Sequence, residues 1–201
     1  MNDRAEPYGS SLRADQAEET RRRIVRSATE QLADAGLGEL TIPGVARGAR
    51  VAVRTVYRYF PTKDALLEAI GHELDRAFGF REIPDAIPKL APFLREMFEG
   101  FSREEVLLRA SIESRAGREA RASVRSGRVE ALERTLEPLI DGLDATERRR
   151  AVALVYMCFS AQTWLMFRDY FGMSSSEASD VASTGLAAVL DSLNNARERM
   201  S

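Results

Sequence analysis

The 201-residue sequence contains one cysteine, Cys158, and one histidine, His72. A single thiol excludes an internal disulfide and a thiolate zinc cluster, and a single imidazole excludes a paired-histidine metal site, so neither metal nor cofactor is expected. Such cysteine usage fits a reducing cytoplasm. No histidine-anchored nucleophile, glycine-rich phosphate loop or metal-ligand set is present, which argues against a small all-α enzyme. Lysine is scarce as well: 27 of the 29 basic residues are arginine, leaving only Lys63 and Lys89. A lone arginine is therefore the default solvated cation here and carries little functional weight. No apolar run reaches the ~20 residues of a membrane span. The longest, Ala151 to Phe167, is broken only by Ser160, Gln162 and Thr163. It reads as a helix apolar around its whole circumference, with one face to its own core and another to a partner. The opening MNDRAEPYGSSLRADQAEE is polar and acidic without an apolar core, so residues 1–19 read as a frayed, disordered tail and not a secretion signal.

What is present is apolar helical periodicity and a local excess of positive charge. The net charge is -2, yet between Thr20 and Lys63 nine cations face three acids, a local balance of nine minus three, or +6. That is the footprint of a protein that meets phosphates with one end. Ile24, Ala28, Leu32 and Ala35 recur at helical spacing and Gly36 follows as a stop, which predicts a first helix over about Thr20 to Ala35. Thr41 caps a short second helix with Pro43 in its first turn. Ala49 to Val51 make a tight turn, and a third helix runs to about Phe60. This is a helix-turn-helix layout. Thr62 caps a fourth helix with the stripe Leu66, Leu67, Ile70, Leu74 and Phe78. Beyond Pro84, Pro88 and Pro92, the pairs Ser102 with Glu105, Asp144 with Glu147 and Ser174 with Glu177 have capping-box spacing. Leu132, Leu136, Leu139 and Ile140 mark a further long helix. No stretch alternates like a strand, so the chain is all-α with about nine helices.

The run TVYRYFPTK, Thr55 to Lys63, places aromatic rings beside cations. At 100° per residue Val56 and Phe60 share the core side of the third helix, Arg54, Thr55 and Arg58 point away, and Tyr57 and Tyr59 fall on the two flanks. A short cationic strip rimmed by phenols suits a DNA major groove, the middle reaching base edges and the rims donating to phosphates. Lys63 opens the next helix, where free amides and a cation attract another phosphate. The alternative is that the arginines are merely solvated and the tyrosines edge the small core. On this geometry the candidate DNA-binding residues are Arg54, Thr55, Tyr57, Arg58, Tyr59 and Lys63, joined by Thr41 and Arg50.

RRRIVRSATEQLADAG followed by LTIPGVARGARVAVRTVYRYFPTKDALLEAI, about Arg21 to Ala69, resembles the DNA-binding domain of the TetR family of transcriptional regulators. The match lies in helix spacing, in Thr41, Ala46 and Val51, and in the run Thr55 to Lys63. The resemblance implies DNA-backbone roles for Thr55, Tyr57, Tyr59 and Lys63, and places Val53 and Arg54 where the family meets bases. This sequence departs from the pattern at three positions. Arg50 stands where the turn commonly has glycine, Ala52 where a serine or threonine usually caps the recognition helix, and Arg54 where glycine is frequent. The implied division is a helix-turn-helix domain over residues 20–64 and a larger helical domain over 65–201 for ligand binding and dimerisation. The implied function is a regulator, most often a repressor, that binds a palindromic double-stranded operator as a homodimer and leaves it when a small-molecule effector binds. The rival, a helical adaptor that binds only protein, leaves the +6 region unexplained.

For the effector, Phe101, Ile112, Met157 and Trp164 are the apolar lining candidates, with Arg109, Glu113 and Gln162 as polar contacts. For the dimer, Ala178, Ala182, Gly185 and Val189 form a small-residue face on the last helix that admits a close helix neighbour. An intramolecular contact is the alternative for that face.

Overall fold

The structure, a computed structural model, describes residues 8–34, 40–80 and 82–200, with side chains described from Ala14 to Arg199 within those spans. Among the described residues it holds eleven α-helices, one 3-10 helix at Ile87–Lys89 and no strand. The chain divides into two compact units, Met1–Leu74 with Ala110–Ser123, and Asp75–Arg109 with Val124–Ser201.

The first unit contains α1 (Tyr8–Asp34), α2 (Ile42–Gly48), α3 (Val53–Tyr59), α4 (Lys63–Ala77) as far as Leu74, the end of α6 (Glu105–Glu113), and α7 (Arg115–Ser123). Helix α1 starts well before Thr20, so residues 8–19 of the expected tail are helical. Its first half is not held by burial, since most of its described side chains are exposed. Glu19 pairs with Arg22 at 3.1 Å one turn on, offsetting part of the arginine cluster. The predicted stop at Ala35 and Gly36 lies outside the described residues. The periodic Ile24, Ala28 and Leu32 are buried with Val45, Val56, Phe60, Leu66 and Ile70. Two side chains fasten α1 to α2 across this core: Ser27 donates to the Val45 carbonyl at 3.0 Å, and Arg23 to the Ala49 carbonyl at 3.0 Å.

The second unit contains α5 (Leu90–Arg103), α8 (Arg125–Ile140), α9 (Ala145–Cys158), α10 (Ala161–Asp169) and α11 (Ser175–Met200), with the end of α4 and the start of α6. Helix α11 packs on α5, α8, α9 and α10. An aromatic cluster fills the centre: Phe101 meets Phe78 edge-on at 5.5 Å, Phe98 at 5.9 Å and Trp164 at 6.1 Å. The stripe on α8 is buried at Leu132, Leu136, Leu139 and Ile140. Beside it Arg128 pairs with Asp75 and lies over the Phe80 ring at 4.6 Å.

Capping explains most of the boundaries. Asp144 and Glu147 form a reciprocal box at the start of α9. Ser174 and Glu177 do the same at α11, the Ser174 amide donating to Glu177 at 2.7 Å and the Glu177 amide to Ser174 at 3.2 Å. Ser102 does not cap, because it lies inside α5, which runs to Arg103; α6 begins at Glu105 without it. The apolar stretch Ala151 to Phe167 is not one helix. Ser160 accepts from the Thr163 amide at 3.0 Å and starts α10 afresh, bent by 49° from α9. Among the described residues no single helix is long and apolar enough to cross a membrane.

Candidate nucleic-acid interface

Thr41 sits in extended backbone before α2, and its hydroxyl accepts from the Gly44 amide at 3.2 Å. Its own amide donates to Gln31 of α1 at 3.0 Å, so Thr41 fixes both the entry to α2 and its height on α1. The exit from α2 is a Schellman motif. The Val51 amide reaches back to the Ala46 carbonyl at 2.9 Å and the Arg50 amide to the Arg47 carbonyl at 3.1 Å. Such a motif requires a left-handed residue at its penultimate position, and Arg50 takes it with φ 55, the only non-glycine positive φ among the described residues. Ala52 then opens α3 with no side-chain cap.

Both departures from good turn chemistry are therefore local weaknesses that can be repaired. Arg50→Gly removes the left-handed strain and Ala52→Ser supplies a cap, and each raises stability by about 1 kcal/mol in thermal unfolding. The ~1 kcal/mol expected for Ala52→Ser includes satisfying one orphan amide of α3. If Arg50 also touches DNA, Arg50→Gly gains stability while losing affinity.

Helix α3 presents the surface its sequence predicts. Val56 and Phe60 are buried, Val53 is 40% and Tyr57 52% exposed, and Arg54 and Arg58 are exposed. Thr55 and Tyr59 are half-buried, so the two phenol flanks are unequal and Tyr57 is the freer one. The Arg58 guanidinium rests 5.3 Å from the centre of the Tyr59 ring, and that of Arg21 rests 5.2 Å from the Phe60 ring. These stacked rings narrow the directions in which both cations point. At the next helix Thr62 caps α4, accepting from the Ala65 amide at 3.1 Å.

Lys63 brings a residue that pattern reading did not single out. Its ammonium donates to Glu119 of α7 at 2.7 Å, and the other oxygen of Glu119 accepts from Arg115 at 2.8 Å. Lys63 first, then Arg115, holds the Glu119 carboxyl below the usual carboxylate range. A contact across 56 residues leaves no spacing signal in one sequence.

The ligand candidates are distributed over both units. Phe101 and Trp164 pack edge-to-face inside the second unit's core, Met157 is 55% exposed on α9, and Ile112 belongs to the first unit. Met157 instead lines a half-open groove of about 770 Å³ between α8 and α9, together with Val129, Val152, Tyr156, Arg125 and Gln162. Arg109 forms a two-pronged pair with Asp169 at 2.9 and 2.6 Å and also bonds Glu105. Asp169 is held below the usual carboxylate range by this guanidinium. Cys158 is buried, and burial pushes its thiol up, which disfavours the thiolate form.

The small-residue face of α11 splits in two. Ala178 and Ala182 are buried together with Leu186, so they face this chain's own helices and are closed to a partner. Gly185 and Val189 are half-exposed, with open space where a Gly185 side chain would lie. Small residues three or four positions apart serve intramolecular and intermolecular contacts alike, and only burial separates the two.

Residues 24–70, spanning the end of α1 through most of α4, match the family described as bacterial regulatory proteins, tetR family. The match covers the helix-turn-helix region and not the larger helical remainder of the chain. The fold of the chain is similar to that of a TetR transcriptional regulator from Rhodococcus sp. RHA1, at 19% identity and a TM-score of 0.54, over 87% of this chain and 97% of that one. Comparison with curated proteins gives no match. Residues 24–70 are thus similar to the helix-turn-helix, DNA-binding region of TetR-family transcription regulators, with α2 and α3 as the helix-turn-helix pair.

Proposed function

We propose that the regulator is a homodimeric repressor that grips a palindromic operator with two copies of α3 and lets go when a small molecule binds its second unit. The observation that carries this reading is the outward strip of α3. It is exposed at Val53, Arg54, Tyr57 and Arg58 and backed by buried Val56 and Phe60, so it is a rigid helix face with base-reading and phosphate-reading groups side by side. In this arrangement Arg54 and Val53 face base edges, while Tyr57, Tyr59, Thr55 and Lys63 meet phosphates. The groove between α8 and α9 has the size of a small-molecule site, and its lining mixes Val129, Val152 and Tyr156 with Arg125 and Glu133.

Selection of genomic fragments on the purified protein, followed by titration at several salt concentrations, tests the reading. A regulator that neutralises phosphates loses affinity along a steep negative log–log slope, whereas a protein-only adaptor shows almost no DNA affinity at any salt. Arg54→Ala is expected to relax preference at one base pair by about 1 to 3 kcal/mol. Tyr57→Phe is expected to weaken selected and random duplexes equally, because a phosphate contact holds no base information. Equal losses on all sequences with Arg54→Ala would reassign Arg54 to the backbone.

A further inference from the structure

The residue proposed to anchor a DNA phosphate, Lys63, is already occupied by an anion of its own chain. Its Nζ lies 2.7 Å from Glu119 Oε2, although the Lys63 side chain is 58% exposed and open to other partners. We propose that Glu119 is a built-in competitor for the DNA phosphate at Lys63, a carboxylate that must be exchanged for a phosphodiester when the regulator binds DNA. The inference rests on the phosphate role proposed above for Lys63.

Three features make Glu119 a placed competitor and not a passing surface partner. First, its helix is firmly seated. A side chain at Gly117 would come within 2.5 Å of the Ser111 backbone, so α7 lies flush against the end of α6. Ser114 caps that junction by accepting from the Gly117 amide at 3.0 Å, and Arg118 closes it by donating to the Ile112 carbonyl at 3.2 Å. Second, both members belong to the same compact unit, so the pair is part of the DNA-binding body. Third, Glu119 has a second cation. Arg115 bonds its other oxygen at 2.8 Å, and when Lys63 turns to DNA the carboxylate keeps a partner. The exchange trades one exposed ion pair for another and is therefore poised near balance.

Simultaneous occupation is disfavoured by charge. A carboxylate and a phosphodiester on one ammonium are like charges about 4 Å apart, which repel by about 1 kcal/mol in water and more near a protein surface. Glu119 thus lowers the yield of the Lys63 contact on any sequence. It tunes how tightly the protein holds DNA in general and leaves discrimination between sequences to α3.

The test is a double-mutant cycle in the full-length protein, with two probes of equal length, a duplex recovered by selection and a random duplex. Lys63→Ala is expected to weaken both. Glu119→Gln, which keeps shape and removes charge, is expected to tighten both by roughly two- to fivefold, the weight of one exposed ion pair, with their ratio unchanged. In the Lys63→Ala background, Glu119→Gln is expected to change nothing, and Glu119→Asp in the native background restores part of the restraint. The same gain with and without Lys63 would overturn the inference, since it would report only the long-range field of a removed charge. No gain from Glu119→Gln while Lys63→Ala still weakens binding would overturn it too and leave the phosphate role of Lys63 standing. If Lys63→Ala has no effect on either duplex, the phosphate role itself falls and the inference falls with it.

Discussion

Replacing Gly100 with alanine is expected to destabilise the protein by about 3 kcal/mol or more, because the new methyl group has no room to form. A Cβ at position 100 would lie 1.8 Å from the Phe78 carbonyl oxygen and 2.5 Å from its carbon. The obstacle is backbone, which cannot rotate away as a side-chain tip can. Nor can it slide freely. Phe78 is buried, its ring stands edge-on to Phe101 at 5.5 Å, and the chain leaving it is pinned by the Gly79 amide on the Arg76 carbonyl at 3.1 Å and the Phe80 amide on the Asp75 carbonyl at 2.6 Å. Relief therefore requires prising α5 from the end of α4 and opening the Phe78–Phe101–Trp164 cluster. For a chain of this size the thermal midpoint should fall by roughly 6 to 12 °C. Trp164 is the only tryptophan, so its fluorescence follows the cluster directly. A midpoint within a degree or two of the native protein would show that α5 moves without opening the cluster.

Leu154→Glu is expected to leave the monomer folded and to lower operator affinity by about 10² to 10⁴-fold, the gain that linking two binding heads normally provides. Leu154 is 48% exposed on α9, so a carboxylate there meets water in the monomer and little is lost from the core. The outer faces of the same region also expose Met157, Met166, Tyr170, Phe171 and Val181. Exposed large apolar side chains in this number favour association, and we propose that the dimer contact involves them and not buried Ala178 and Ala182. A charge buried without a partner at such a contact splits it. A lone protomer offers one recognition helix, whereas a palindrome needs two held about one DNA turn, ~34 to 36 Å, apart. Val181→Glu on α11, 41% exposed, supplies an independent probe of the proposed contact. Size-exclusion chromatography with light scattering reads the assembly, and a Leu154→Glu protein that elutes as an intact dimer with native operator affinity would place the contact elsewhere.

The helix-turn-helix was legible because its signals are local. Thr41 caps within three residues, Val56 and Phe60 share a face by the 3.6-residue period, and the strain at Arg50 and the missing cap at Ala52 follow from what those side chains cannot do. The capping boxes at Asp144 and Ser174 were legible for the same reason. Ser102 carries the same spacing yet lies within α5, since a spacing rule does not record whether the preceding helix has already ended. Periodicity also left the region after α5 in fewer pieces than the chain forms, because the breaks at Glu104, Ser114 and Val124 involve no proline or glycine.

What the sequence determined by itself is the all-helical character and the place and face of α3, which depend on residues within a few positions of one another, and the +6 charge, which needs only a count along the chain. What only the tertiary structure decided are matters of which face meets which neighbour. It turned Ala178 and Ala182 inward, left Met157 and Leu154 outward, and set Glu119 on Lys63. The physical reason is that an apolar or small side chain is equally content against its own chain or another, and a carboxylate pairs with whichever cation the fold brings within about 3 Å. Helical periodicity fixes an orientation about an axis, while the partner on that side is chosen by packing of distant segments.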